Sequence, residues 1–243
     1  MRRIKLIAIA TSLSILLIVA TTWMVVHDTD VTNLVLATVT AIATVIMAVT
    51  IYQLDLTLQQ LRFEALNKAY DFLSNDIKAD LNVISEWAKE GKTPEEVFSG
   101  DAKDENWNKV RFVSVAFNKV GYYVYKGFLD ERFIQEEFGG LVVRSFVAIR
   151  PYLRYMREQS EPKNKPWFMR RFYLMIVVVC EQYLRDRKEF REYLRKLVED
   201  YGDKEVKEDF ERGSLVPEEW LSDDVREWLK ERGYLKKMKS RRS

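Results

Sequence analysis

The stretch VTNLVLATVTAIATVIMAVTIYQ, residues 31–53, runs for 23 positions without an Asp, Glu, Lys or Arg. A helix needs about 20 apolar residues to cross the hydrocarbon core of a bilayer, so this stretch is long enough to span one. Upstream, LIAIATSLSILLIVATTWMVV, residues 6–26, is charge-free over 21 positions. Only His27-Asp28-Thr29-Asp30 separates the two, which leaves room for a tight turn. Two antiparallel transmembrane helices, a hairpin over residues 1–53, are therefore predicted. The Thr and Ser residues inside them are tolerated in lipid because their hydroxyls bond back to helix carbonyls. Trp23 and Tyr52 fall near opposite helix ends, where interfacial aromatics sit.

Charge sets the expected orientation. Arg2, Arg3 and Lys5 precede the first stretch, whereas the loop holds Asp28 and Asp30 and no cation. Positive flanks stay cytoplasmic, so the N-terminus and everything after the second span are predicted cytoplasmic. The expected location is the cell membrane, with a multi-pass topology. Residues 1–20, ending Ile18-Val19-Ala20, could alternatively act as a cleaved signal peptide. The second span would still return the chain to the cytoplasm. No charge lies within either span, so an ion path or proton relay has no evident ligand there. Ala37, Ala41, Thr44 and Ala48 recur at steps of four, three and four, a small-residue stripe that lets helix backbones approach closely in lipid. It would pack either on the first span or on a second copy of the chain, so a homo-oligomer is an open reading.

Beyond the spans the composition changes. The mean hydropathy of −0.26 averages two unlike parts. Of the net charge of +2, the N-terminus carries +3, the loop −2 and the tail from Lys236 +5, which leaves residues 54–235 at −4. A nucleic-acid footprint calls for a basic body, so nucleic acid is not an expected partner. The single cysteine, Cys180, excludes an internal disulfide, and the single histidine, His27, excludes a histidine-based metal site or Ser-His-Asp triad in the large domain.

Leu54, Leu58, Leu61, Ala65, Ala69 and Phe72 recur at helical spacing with no Gly or Pro nearby. One continuous helical stalk over residues 54–90 is expected, its stripe packing on the domain's own core rather than forming a coiled coil. A helical domain over residues 91–235 and a basic tail, residues 236–243, complete the chain. Within the domain, helices are predicted over residues 106–126, 131–138, 141–158, 167–201 and 218–232. Gly139-Gly140 is expected to break the second from the third, Pro151 to kink the third, residues 161–166 to form a polar loop, and Pro217 to open the last. Residues 172–180 are nine apolar positions bracketed by Arg170, Arg171 and Glu181. That is too short to span, and a buried core helix is expected. The fold class is all-α.

Gly127-Phe128-Leu129-Asp130, then Glu136-Glu137-Phe138-Gly139, then Pro151 with Arg157 and Glu158, resemble a widespread prokaryotic domain family of unknown function, over roughly residues 110–190. Members often carry N-terminal membrane helices. The resemblance implies an all-helical cytosolic domain with no assigned activity.

No Walker loop, H-E-x-x-H, G-x-S-x-G or dinucleotide fingerprint is present. Glu136-Glu137 and Asp223-Asp224 are adjacent pairs, and neighbours on a helix point about 100° apart, which suits a solvated face or helix cap. No catalytic, cofactor-binding or metal-ligating residue is assigned. The candidate contact surface is basic. Arg150, Arg154 and Arg157 lie at i, i+4 and i+7, and Lys163, Lys165, Arg170 and Arg171 follow, a local excess in an acidic body. These residues could meet anionic lipid headgroups, a phosphate-bearing ligand or, against the acidic balance of the body, nucleic acid, or pair internally with carboxylates. The expected function is a membrane-anchored binding or regulatory module for an unidentified protein partner. The alternatives are an oligomeric pore gated by its cytosolic domain and an unrecognised membrane-associated enzyme.

Overall fold

The computed structural model describes residues 18–19, 22–23, 31–159 and 170–235. Among them every regular element is helical, and the chain is all-α. The elements are α1 (Val31–Asp71), a π-helical turn (Phe72–Asp76), α2 (Lys78–Lys89), α3 (Pro94–Val97), α4 (Lys103–Tyr125), α5 (Glu131–Phe133), a second π turn (Ile134–Phe138), α6 (Gly139–Glu158), α7 (Arg171–Asp186), α8 (Lys188–Tyr201), α9 (Lys204–Glu211), a short 3₁₀ turn (Glu218–Trp220) and α10 (Asp223–Glu231). The chain divides into two compact units between Phe63 and Glu64.

In the first unit, α1 leaves its large apolar side chains exposed, among them Val39, Ile42, Ile46 and Met47. Its stretch Thr38–Asp71 is, among the described residues, the one helix long and apolar enough to cross a membrane. The second predicted span, residues 31–53, falls on α1. Apart from Ile18, Val19, Thr22 and Trp23, which are helical, the first span lies outside the described residues.

The second unit is built around α7. All nine residues from Phe172 to Cys180 are buried, each large aliphatic side chain contributing about 1.5–3 kcal/mol by leaving water. Helices α4, α6, α8 and α10 pack on α7, and α2 closes the bundle over α4, α6 and α8. Two features of α4 set how α7 begins. At Gly121 a Cβ would stand 2.1 Å from the Phe172 carbonyl oxygen, so only glycine allows the two backbones to approach this closely. Asn118 Oδ1 accepts the Phe172 and Tyr173 amides at 3.1 and 3.3 Å, partnering first-turn donors that have none within the helix. Phe117 stacks on Tyr173 at 5.0 Å, and Phe146 meets the same ring edge-on.

Several sequence expectations are corrected here. The stalk is not one α-helix to residue 90, because the π turn at Phe72–Asp76 interrupts it, with Ile77 N donating to Phe72 O five residues back at 3.2 Å. Of its stripe, Ala65 and Ala69, in the second unit, are buried, and Leu54, Leu58 and Leu61, in the first, are 60%, 39% and 42% exposed. Gly139-Gly140 does not break a helix, since both residues lie in α6 and Gly139 has ordinary helical angles. Gly140 is there for room, because a Cβ would meet the Tyr193 hydroxyl of α8 at 3.1 Å. Pro151 lies inside α6 without ending it. The long helix predicted over 167–201 is two helices, parted at Arg187 by an extended backbone, with Arg191 Nε bonding the Arg185 carbonyl at 2.8 Å across the joint. Residues 161–169, including the predicted loop, lie outside the described residues. Pro217 precedes only a 3₁₀ turn, and α10 starts after Ser222. Helices α3 and α9 were not anticipated.

Candidate functional site

Helix α6 supplies Arg150 and Arg154, α7 supplies Glu181 and Arg185, and α9 supplies Glu205 and Asp209. Asp203 caps α9 by accepting the Val206 amide at 2.8 Å. Gly213, at φ 99°, then takes a left-handed turn that brings Ser214–Val216 back against α6 and α7.

Charged side chains hold that returning segment. Arg150, only 3% exposed, pairs with the Asp209 carboxylate and donates from Nη1 to the Leu215 carbonyl at 3.1 Å. Its guanidinium centre lies 4.5 Å from the Trp220 ring centroid. Glu181, 1% exposed, accepts the Leu215 amide at 3.0 and 3.1 Å, the Ser214 hydroxyl at 3.4 Å and Arg185 Nε at 2.7 Å. Arg185 in turn donates to the Phe210 carbonyl at 3.1 Å and lies over the Phe210 ring. Both backbone polar groups of Leu215 are thus taken by buried charges. Such charges are sustained only by complete pairing, and removing one partner strands the other in a low-dielectric interior.

Arg150 and Arg154 also line a cleft of about 640 Å³. Three arginines there face five carboxylates, so the lining is net acidic. Arg154 bonds Glu205, and Glu158 at 3.1 Å; these hydrogen bonds, Glu205 foremost, raise its pKa above the ordinary arginine value. Free anions gain little from arginines already neutralised in this way.

The other predicted cations are scattered. Arg170 Nε donates to Ser114 Oγ of α4 at 2.8 Å, and burial, then the neighbouring Arg111 charge, lowers its pKa. Arg171 pairs with Asp224 of α10 at 3.3 Å and lies over Phe172. The side chain of Arg157, and Lys163 and Lys165, lie outside the described residues. In the predicted small-residue stripe, Ala41, Thr44 and Ala48 are half-buried on α1, while the side chain of Ala37 lies outside the described residues.

Elsewhere, burial pushes the Cys180 thiol well above its ordinary value, which keeps it protonated and unreactive. Burial also pushes up the Tyr173 hydroxyl, which is 2.7 Å from Ser145 Oγ. Among the described residues no three His, Cys, Asp or Glu side chains are grouped to hold a metal ion. A second hollow beside Trp87 and Asn106 is braced by Tyr152, whose hydroxyl donates to the Lys92 carbonyl, and by Asn106, which donates to the Val97 carbonyl.

Sequence reasoning missed Glu181 and Asp209 as the partners that decide what the arginines do. Glu181 carried a signal, since a carboxylate directly after nine buried positions on one helix must itself be near the interior. Asp209 carried none, lying 59 residues from Arg150.

No curated protein and no solved structure matches the chain. Residues 35–213 match a family described as Domain of unknown function (DUF4760). That match runs from within α1 to the turn after α9, takes in Arg150, Glu181, Arg185 and Asp209 and stops just short of Leu215, and the chain therefore belongs to the DUF4760 family, a domain of unknown function.

Proposed function

We propose that the chain is a membrane-anchored helical module that acts by binding, with its second unit displayed on the cytoplasmic side of the cell membrane. Residues 6–26 and 31–53 form the anchoring hairpin. The observation that carries the proposal is α1, a helix of 41 residues that is charge-free through residue 53 and apolar on every side. The family match begins at residue 35, inside this helix, so most of the apolar segment belongs to the domain rather than to a detachable leader. The internal pairing of Arg150, Arg154 and Arg171 supports a structural role for these cations and favours a partner-binding module over an enzyme.

Topology tests this in intact cells. His27→Cys and Ser243→Cys are labelled with a membrane-impermeant maleimide, and buried Cys180 stays silent. Reaction at position 27 from outside, with position 243 reacting only after permeabilisation, is the expected result. Reaction at position 243 from outside sinks the cytoplasmic placement.

One observation favours a second reading, an oligomeric effector or gated pore. Leu54, Leu58 and Leu61 lie on one exposed face of α1, continuing at helical spacing from Ile51. Crosslinking in native membranes separates the two readings, since a monomer at every crosslinker dose removes the pore.

A further inference from the structure

With Arg150, Arg154 and Arg171 paired internally, a second set of cations stands on α4, where Arg111, Lys119 and Lys126 have no carboxylate partner among the described residues. From residue 106 to residue 129 the chain contains no Asp or Glu, within a body that is net acidic. Arg111, Phe112, Val115, Lys119, Tyr122 and Lys126 are spaced one, three, four, three and four apart and share one outward face. Phe112 is 44% and Tyr122 39% exposed, although both are large aromatics. The cations between them are held by rings rather than carboxylates. Lys119 lies 5.2 Å from the Phe72 ring centroid, and Lys126 lies 5.8 and 5.7 Å from those of Tyr122 and Tyr125. Cations held against rings keep their charge available to an external anion, which distinguishes Lys119 and Lys126 from the arginines of the cleft.

We infer that this face of α4 docks onto an anionic phospholipid surface. Interleaved aromatic and basic side chains suit the headgroup layer, where rings sit at the acyl boundary and cations meet phosphate and carboxylate. Each such cation strengthens binding to an anionic leaflet by about five-fold. The inference rests on the anchored reading, because an anchor keeps the second unit within reach of the bilayer. A lone acidic protein segment would match the charge but would not call for Phe112.

The test uses the full chain in nanodiscs of phosphatidylcholine alone or mixed with phosphatidylserine. Phe112→Cys, Tyr122→Cys and, as a control on the exposed start of α9, Lys204→Cys each carry an environment-sensitive fluorophore, and doxyl-labelled lipid is the quencher. Quenching at 112 and 122 only in serine-containing discs, reversed by salt and absent at 204, is expected. Adding Lys119→Glu with Lys126→Glu should abolish it while the protein stays in the disc. No quenching at 112 and 122, or equal quenching at 204, overturns the docking face alone. Failure of the chain to enter discs overturns the anchor, and this inference with it.

Discussion

Helices α1 and α7 both owe their character to unbroken apolar runs, yet one leaves its run exposed and the other has every residue of it covered. The charge-free part of α1 covers 23 positions, and Val39, Ile46 and Met47 stay open to the surroundings. The run in α7 covers nine positions and is buried throughout. At about 1.5 Å per residue, 23 residues exceed the roughly 30 Å of a bilayer core and nine reach less than half of it. The ends of the runs differ as well. The run in α7 opens against Asn118 and Gly121 and closes at Glu181, so each end has a dedicated protein partner, whereas the run in α1 gives way to Asp55, Gln59 and Arg62 with its own leucines uncovered. Hydrophobicity alone says that a segment must leave water; its length and the polar groups at its ends say where it goes.

The hardest test of that contrast places a carboxylate in each run. Val177→Asp puts an unpaired charge at the centre of α7, and the loss of about 4 kcal/mol or more should abolish the cooperative melt followed by circular dichroism. Val39→Asp, on exposed α1, should leave the melt of the second unit in place and instead weaken membrane insertion by about 3 kcal/mol, read by alkaline extraction. A normal melt for Val177→Asp would erase the distinction.

The next tests concern the ends of the apolar run in α7. Glu181→Ala strands Arg185 and the Leu215 amide and is expected to cost about 3–5 kcal/mol in denaturant titrations. Arg154→Ala, which breaks only exposed pairs, should cost under about 1 kcal/mol; equal costs would mean that burial does not set the energetics of this cluster. Gly121→Ala forces α4 away from Phe172 at a cost of about 1–3 kcal/mol. Asn118→Ala should cost about 1 kcal/mol, with hydrogen exchange accelerated at the amides of residues 172 and 173.

Much of this was open to a reader of the sequence. The apolar periodicity of residues 106–126 located α4, and the bracketed run at 172–180 located the buried helix. Failures came where a residue's usual role yields to a tertiary contact. Gly139-Gly140 signals a break, but Gly140 serves instead to admit Tyr193. The joint at Arg187 has no Gly or Pro and is held by side-chain contacts invisible in one dimension. The arginines at 150, 154 and 171 form a positive cluster along the chain, but folding deals them out to Asp209, Glu205 and Asp224, carboxylates more than 50 positions away. The acid-free interval 106–129 was equally legible, though absence of a residue type draws the eye less than accumulation.

The π turn at Phe72–Asp76 carries a geometric consequence. Buried positions on either side of it, Ala65, Ala69, Leu73, Ile77 and Leu81, are spaced by fours. Each step of four on an α-helix overshoots a full circle by about 40°, so four steps would carry the stripe about 160° round, nearly to the opposite side. A wide turn that absorbs one additional residue takes back about 100° of that drift. The segment is in effect a phase corrector between two stretches of one rod. Deleting a single residue there would rotate everything before it by about 100° relative to everything after it, so at this point the chain is constrained more by how many residues it has than by which ones they are.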